Sequence, residues 1–66
     1  MTIGAKIKEL RLEHELSQAE LGALVGVSQK AVAFWENNAN EPKVGYMIAL
    51  ARKLGISYDE LFEDVD

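Results

Sequence analysis

Two serines eleven residues apart, Ser17 and Ser28, constrain the fold of this chain more than any other feature. In Leu16-Ser17-Gln18-Ala19-Glu20-Leu21, Ser17 is placed to cap a helix, Glu20 completes a capping box, and the two leucines form a hydrophobic staple. Val27-Ser28-Gln29-Lys30-Ala31-Val32 repeats the cap and the staple but has alanine at the third helical position. Gly26 can end the first helix just before the second begins. The segment Leu16 to Asn38 is therefore predicted to be two short helices joined by a tight turn.

Three further helices are indicated by apolar periodicity and end signals. Ile3, Ile7 and Leu10 recur at helical spacing after Thr2, so Lys6, Lys8, Glu9 and Glu13 are expected to face water. Met47, Leu50, Ala51 and Leu54 repeat the pattern before Gly55, and Ile56-Ser57-Tyr58-Asp59-Glu60-Leu61 is a second complete capping box with its staple. The prediction is an all-α domain spanning residues 1–66, with helices at about 3–14, 17–25, 28–37, 44–54 and 57–63.

Composition excludes several classes of protein. At 66 residues and 48% hydrophobic, the chain suits one domain near the lower size limit for a packed core. With no cysteine and a single histidine, His14, it can build neither a disulfide framework nor the usual Cys/His metal site. His14 is interpreted as a surface cation near a helix end. Because the serines are explained as helix caps and no nucleophile has a base, we expect no enzyme, cofactor, metal or small-molecule ligand.

Charge and hydropathy bear on location and partners. No signal sequence or membrane-spanning apolar run is apparent, which predicts a soluble, cytoplasmic protein. The net charge is -4, unfavourable for binding the phosphate backbone of DNA. However, the acidity is concentrated after residue 43, where Arg52 and Lys53 are outnumbered by acids: Asp59, Glu60, Glu63, Asp64 and Asp66.

Several motifs in the same order resemble the phage repressor/Cro (XRE-like) helix-turn-helix family. They are Leu10-Arg11, the segment from Leu16 to Leu21, Gly26-Val27-Ser28, Val32, Trp35-Glu36-Asn37, Glu41-Pro42 and the segment from Leu50 to Ile56. The resemblance covers about residues 3–62. It implies a compact, lambda-repressor-like five-helix domain that binds operator DNA, usually as a symmetric dimer, with the helix after Ser28 as the recognition helix.

The resemblance implies base contacts from the recognition helix, and the residues there agree. Candidates are Ser28, Gln29, Lys30, Ala33 and Phe34. Glutamine and lysine suit adenine and guanine edges, and a helix N-terminus without an acidic residue favours phosphate. Ala33 and Phe34 depart from the polar residues common in the family. An exposed Phe34 could meet a thymine methyl group, or it could serve packing or a protein partner.

Contacts to the DNA backbone are assigned to a second set of residues. The resemblance places Gln18 against the backbone beside the recognition helix. The polar loop residues after that helix are candidates for positioning contacts to phosphate: Asn37, Asn38, Asn40 and Lys43. Alternatively, the asparagines only supply turn conformations.

Four further assignments concern structure. Arg11 and Glu36 resemble a family pair that joins the first helix to the end of the third; the alternative is two surface charges. Trp35 is expected in the core, or with its N–H at the rim near a phosphate. Gly22 stands where the family often has alanine, which should keep the two helices of the motif closely packed but weaken the first of them by up to about 1 kcal/mol. A dimer interface is assigned to Tyr58, Phe62 and Val65, unless Phe62 packs inward.

The resulting prediction is a sequence-specific regulator of transcription, most simply a repressor that binds a palindromic double-stranded operator as a homodimer. A different class of function stays open. The same fold could be a protein-interaction module, such as an antitoxin or antirepressor partner, with weak DNA affinity. The net charge and the exposed Phe34 favour that alternative.

Overall fold

The computed structural model describes all residues, 1–66, and contains helices but no strands. The all-α prediction is confirmed. The five helices are α1 (Ile3–Glu13), α2 (Gln18–Val25), α3 (Gln29–Glu36), α4 (Val44–Leu54) and α5 (Tyr58–Phe62). None of them is long and apolar enough to cross a membrane.

The three serines act as N-caps in the structure. The hydroxyl oxygens of Ser17, Ser28 and Ser57 each accept a hydrogen bond from the backbone N–H three residues on, at 3.0 to 3.1 Å. Both predicted capping boxes are complete, and α3 has the cap alone. The helices begin one residue after each serine because a capping residue has an extended backbone, with ψ near 160 to 165°.

Each helix contributes one fully buried side chain to the centre of the core. These residues are Ile7, Leu21, Val32, Leu50 and Leu61. The predicted stripe of α1 is buried, and Trp35 packs in the core with its ring tilted against Tyr46, the ring centroids 5.7 Å apart. The short α5 is therefore tied to the rest of the domain through Leu61.

The expectation that Lys6 faces water is wrong, because this residue is only 7% exposed. Lys6 lies three residues after Ile3 and four before Leu10, so it shares their side of α1. A lysine stem can cover apolar surface while its amine reaches outward, here to within 4.0 Å of Glu9.

Gly22 and Gly26 shape the connection between α2 and α3. Gly26 has a left-handed backbone, with φ at 85°, and the N–H groups of Gly26 and Val27 both donate to the Gly22 carbonyl. A Cβ atom on Gly22 would lie 2.6 Å from the Val27 carbonyl oxygen. The turn thus depends on glycine at position 22 for close approach and at position 26 for conformation.

His14 is the C-cap of α1, and it is exposed. Its ring nitrogens lie 2.8 Å from the Leu10 carbonyl oxygen and 3.1 Å from that of Leu54. Both partners belong to last turns of helices, α1 and α4, so the ring bridges two helix ends.

Candidate nucleic-acid interface

Helices α2 and α3 form the predicted helix-turn-helix, and α3 presents a defined outer face. Val32 and Trp35 hold α3 against the core. On the opposite side Gln29, Lys30 and Phe34 are exposed, while Ala33 is half-buried. The first turn of α3 thus combines solvent-facing polar side chains with the free backbone N–H groups that begin a helix.

The N-terminus of α3 contains no acidic residue in its first turn. Ser28 is exposed, and its hydroxyl oxygen is occupied by the Ala31 N–H, which leaves the hydroxyl hydrogen free to donate. In α2, by contrast, the Glu20 carboxylate accepts from the Ser17 N–H, 2.8 Å away. Because a helix N-terminus carries partial positive charge, α3 offers an uncompensated site for an anion, whereas α2 does not.

An ion pair joins α1 to the end of α3. Arg11 donates to both carboxylate oxygens of Glu36, Nε to Oε2 at 2.7 Å and Nη2 to Oε1 at 3.0 Å. Its Nη1 also donates to the Leu16 carbonyl at 2.9 Å. The side chains are 11% and 3% exposed, so this is not a surface pair. The hydrogen bonds that Arg11 donates to Glu36 raise the pKa of Arg11 above its ordinary value and keep the guanidinium charged.

A chain of hydrogen bonds runs from this ion pair to the exposed face of α3. Gln18 Nε2 donates to Glu36 Oε1 at 3.2 Å, and Gln29 Nε2 donates to Gln18 Oε1 at 3.3 Å. A carboxylate can only accept, so Glu36 directs the amide of Gln18, which in turn directs the amide of Gln29. The carbonyl oxygen and one N–H of Gln29 remain for an outside partner.

A groove of 330 Å³ opens beside α3, between this helix and the start of α4. Its lining residues are Val27, Ala31, Phe34, Trp35, Asn40, Glu41, Lys43 and Tyr46. Phe34 is 41% exposed, and the Lys30 amine lies over its ring, 5.7 Å from the centroid. Predicted base-contact and backbone-contact residues therefore meet at one groove.

The predicted loop contacts occupy different positions after α3. Asn37 is the C-cap of α3, and Asn38 has a left-handed backbone, with φ at 62°, so these two supply turn conformations. Asn40 and Lys43 are exposed at the groove. Gln18 is half-buried at the start of α2. Asn40 and Lys43 thus line the same groove as Phe34 of α3.

The predicted dimer residues are not equally accessible. Tyr58 and Phe62 are exposed on α5, so the inward alternative for Phe62 does not hold. Val65 is half-buried and packs against the core. Phe62 and Val65 also line a second groove of 320 Å³ together with Thr2, Ile3, Glu41, Met47 and Asp66.

Sequence reasoning missed two participants at the groove beside α3, Glu41 and Tyr46. Tyr46 lies on α4 and contacts Trp35, and Glu41 lies in the preceding loop. Glu41 belongs to the Glu41-Pro42 motif, but neither that motif nor any periodic pattern predicts that Glu41 and Tyr46 line one groove, because this depends on how α4 packs against α3. An exposed aromatic residue in the first turn of α4 was the only available signal.

The comparisons with known proteins agree with this architecture. Residues 7–61 match the family model HTH_3, described as helix-turn-helix. The chain is 36% identical over 61 residues to repressor protein C2 of Salmonella phage P22, and 30% identical over 59 residues to antitoxin PezA of Streptococcus pneumoniae. The two matches cover 92% and 89% of this chain, but only 28% and 37% of the relatives' own length.

Solved structures share the fold over nearly the whole chain. A crystal structure of the P22 c2 repressor in complex with a synthetic operator matches with a TM-score of 0.85 and 35% identity, covering 96% of both chains. The restriction-modification controller protein C.AhdI of Aeromonas hydrophila matches with a TM-score of 0.84 and 32% identity, covering 91% of each.

Two serine-capped helices, α2 and α3, joined by a tight turn with a left-handed Gly26, form a helix-turn-helix. The chain belongs to the HTH_3 (XRE-like) helix-turn-helix family, whose members are DNA-binding regulators of transcription and not enzymes, and it is homologous to phage repressors.

Proposed function

We propose that this chain is a sequence-specific transcriptional repressor that binds a palindromic double-stranded operator as a homodimer. The observation that carries the proposal is the first turn of α3, where exposed Gln29 and Lys30 stand at a helix N-terminus free of acidic residues. This arrangement suits the major groove, which admits one helix and is read by side chains near its N-terminus.

Base recognition is assigned to the exposed face of α3. The Gln29 amide, oriented through Gln18, offers an acceptor and a donor, which is the pattern that adenine pairs with in the major groove. Lys30 suits guanine oxygen or nitrogen acceptors. Ser28 donates from its free hydroxyl hydrogen, and Ala33 and Phe34 supply apolar contact.

Backbone positioning is assigned to residues on both sides of α3. Gln18, Asn40 and Lys43 are proposed to contact phosphates directly. For Asn37 and Asn38 the backbone conformations already account for the residue type, so their phosphate contacts are the weaker part of the proposal. Positioning contacts of this kind fix the register of α3 in the groove without reading sequence.

Dimerisation is assigned to α5. Tyr58 and Phe62 are exposed, and a domain of this size has few other ways to cover two aromatic rings. A symmetric pair would place two α3 helices one helical turn of DNA apart, about 34 to 36 Å. The two half-site contacts, each weak alone, would then together give the dimer a higher affinity for the operator.

A protein-interaction module is the second candidate, and two observations favour it. The net charge of -4 gives little long-range attraction to DNA. The relatives include a protein named as an antitoxin, and a domain of this kind could act mainly through a protein partner. In that case α3 would keep its shape while DNA affinity is weak.

Selection of bound duplexes from a random DNA pool tests the proposal. We expect enrichment of a palindrome with two half-sites about one turn apart. The log of the binding constant should fall linearly with log salt, with a slope of about -0.9 per neutralised phosphate. No enrichment together with a flat salt response would contradict the repressor and favour the protein partner.

Two alanine variants separate base reading from phosphate contact. Gln29→Ala is expected to cost about 1 to 3 kcal/mol on the selected operator and to relax preference at one base pair in each half-site. Lys30→Ala should do the same at a different base pair. A loss for Lys30→Ala that is equal on all sequences would instead assign Lys30 to a phosphate.

A further inference from the structure

Lys30 and Phe34 lie one turn apart on the outer face of α3, and both are exposed. The Lys30 amine lies over the Phe34 ring, 5.7 Å from its centroid. This is within the distance of about 6 Å at which the electronegative face of an aromatic ring attracts a cation. Residues four apart on a helix are neighbours, and a helical side chain leans back toward the preceding turn, which brings the ring toward Lys30. The two residues therefore form a cation–π pair on the helix that is proposed to enter DNA.

No acid competes with the ring for the Lys30 amine. The one acid of α3 is Glu36, whose carboxylate is occupied by Arg11 and Gln18. The ion pairs of the chain join other residues: Met1 with Asp66, Lys6 with Glu9, and Arg11 with Glu36. The Phe34 ring is thus the only partner that the structure gives the Lys30 amine.

The pair limits where the Lys30 amine can go. A lysine has a flexible four-carbon stem, so an unrestrained amine at this position could reach a phosphate beside the N-terminus of α3 or a base edge further along the groove. Contact with Phe34 draws the amine along the outer face, toward the second turn of the helix. An ammonium group has three N–H donors, and a ring face engages one of them. Two donors remain, which matches the two acceptors, N7 and O6, that guanine presents in the major groove.

We propose that Phe34 is a positioning residue for Lys30: its ring keeps the amine on the outer face of α3, so that Lys30 reads a guanine and does not bind a phosphate. This inference rests on the proposed function, because Lys30 reads a base only when α3 enters the major groove. It does not require Phe34 to touch DNA. It also gives a reason for an exposed aromatic ring at a position where the family commonly has a polar residue.

Proton resonances test the pair in the absence of DNA. The ring current of Phe34 should shift the Lys30 methylene protons next to the amine upfield. This shift should be lost in Phe34→Leu, which keeps an apolar side chain, and retained in Phe34→Tyr, which keeps an aromatic face. Lys8 on α1 is the internal reference, because its resonances should not change between the variants.

Operator binding tests the role of the pair. The readout is specificity at the base pair where Lys30→Ala relaxes preference: the dissociation constant of an operator changed there in one half-site, divided by that of the selected operator. A cation–π pair at an exposed site corresponds to about two- to fivefold in an equilibrium constant. Phe34→Leu should therefore lower this ratio by about two- to fivefold, and Phe34→Tyr should leave it unchanged. The corresponding ratio at the Gln29 base pair should stay the same in both variants.

A double variant separates positioning from direct contact. Because Phe34 is proposed to act through Lys30, Lys30→Ala/Phe34→Leu should have the same ratio as Lys30→Ala alone. A further loss in the double variant would show that Phe34 contacts DNA by itself, which would overturn the inference.

Other results would overturn it as well. Lys30 resonances that are the same in Phe34→Leu would show that the pair does not form in solution, with operator binding left intact. An equal loss of specificity in Phe34→Leu and Phe34→Tyr would leave the ring with a packing role only. Failure of the chain to select any DNA would contradict the proposed function, and this inference with it.

Discussion

Glu36 connects the buried ion pair to the hydrogen bonds that orient Gln18 and Gln29. Its carboxylate accepts from Arg11 and from Gln18, and it is almost fully buried. Removing one member of a buried ion pair leaves the other charge unpaired, at a cost of about 3 to 5 kcal/mol. The total stability of a chain of this length is about 3 to 10 kcal/mol, so either single loss is serious.

The first prediction concerns this pair. Arg11→Met alone should lower the free energy of unfolding by about 3 to 5 kcal/mol, measured by urea denaturation. The double variant Arg11→Met/Glu36→Leu should recover most of that loss, because no charge stays buried. Equal instability of the single and double variants would show that the two residues act separately.

At the residue scale, a role could be predicted from the sequence where it depends only on residues a few positions away. The serines could be assigned because a cap involves neighbours three residues apart. The hydrogen bond between Gln18 and Gln29 could not be assigned, since it requires the turn geometry that brings two helix starts together. Lys6 was misplaced because its polarity was weighed above its position on the buried stripe of α1.

At the element scale, α2 and α3 are held at a separation that only glycine allows. Helix propensity alone predicts that Gly22→Ala is stabilising by up to about 1 kcal/mol. The structure predicts the opposite, because the added Cβ would meet the Val27 carbonyl oxygen at 2.6 Å. The cost of such overpacking is about 1 to 3 kcal/mol.

This second prediction has a matched control in the same chain. Gly45 is also helical, in α4, and a Cβ there meets nothing within 4 Å. Gly45→Ala should therefore raise the melting temperature slightly, while Gly22→Ala lowers it and weakens operator binding by displacing α3. Stabilisation by both substitutions would show that the turn adjusts freely.

The capping box of α2 gives a third prediction, on pH. Hydrogen bonds from the Ser17 backbone N–H and from its hydroxyl lower the pKa of Glu20 below the ordinary value of 4.5. A lowered folded-state pKa contributes stability above pH 4.5 that is lost as pH falls through the folded-state value. The melting temperature of the unchanged protein should therefore exceed that of Glu20→Gln at neutral pH, and the difference should shrink on acidification. A difference independent of pH would contradict the assignment.

Helix order and the turn between α2 and α3 could be predicted because their signals are local: serine caps, Gly26, Gly55 and apolar periodicity. The groove beside α3 could not, because Tyr46 reaches it only through packing of α4 on Trp35. Gly4 was missed for a similar reason. Its closeness to the Trp35 carbonyl oxygen, which an added Cβ would overlap, is a contact between α1 and α3.

At the scale of the whole molecule, charge and size limit what one domain can do alone. With a net charge of -4, attraction to DNA has to come from local groups such as Lys30 and Lys43. Joining two half-site contacts in one complex raises affinity without a new base contact. The exposed rings of α5 are the surface proposed to join them.

The last prediction tests that surface. Phe62→Lys should raise the dimer dissociation constant by about 30-fold, the effect of losing a central contact worth about 2 kcal/mol, as measured by sedimentation across a concentration series. Operator affinity should fall while the preferred half-site sequence stays the same, since α3 is untouched. Leu12→Lys places the same charge on an exposed apolar position of α1 and should leave both quantities unchanged. If the unchanged protein binds its operator as a monomer, or if both variants behave alike, α5 is not the interface and the two half-sites must be joined elsewhere.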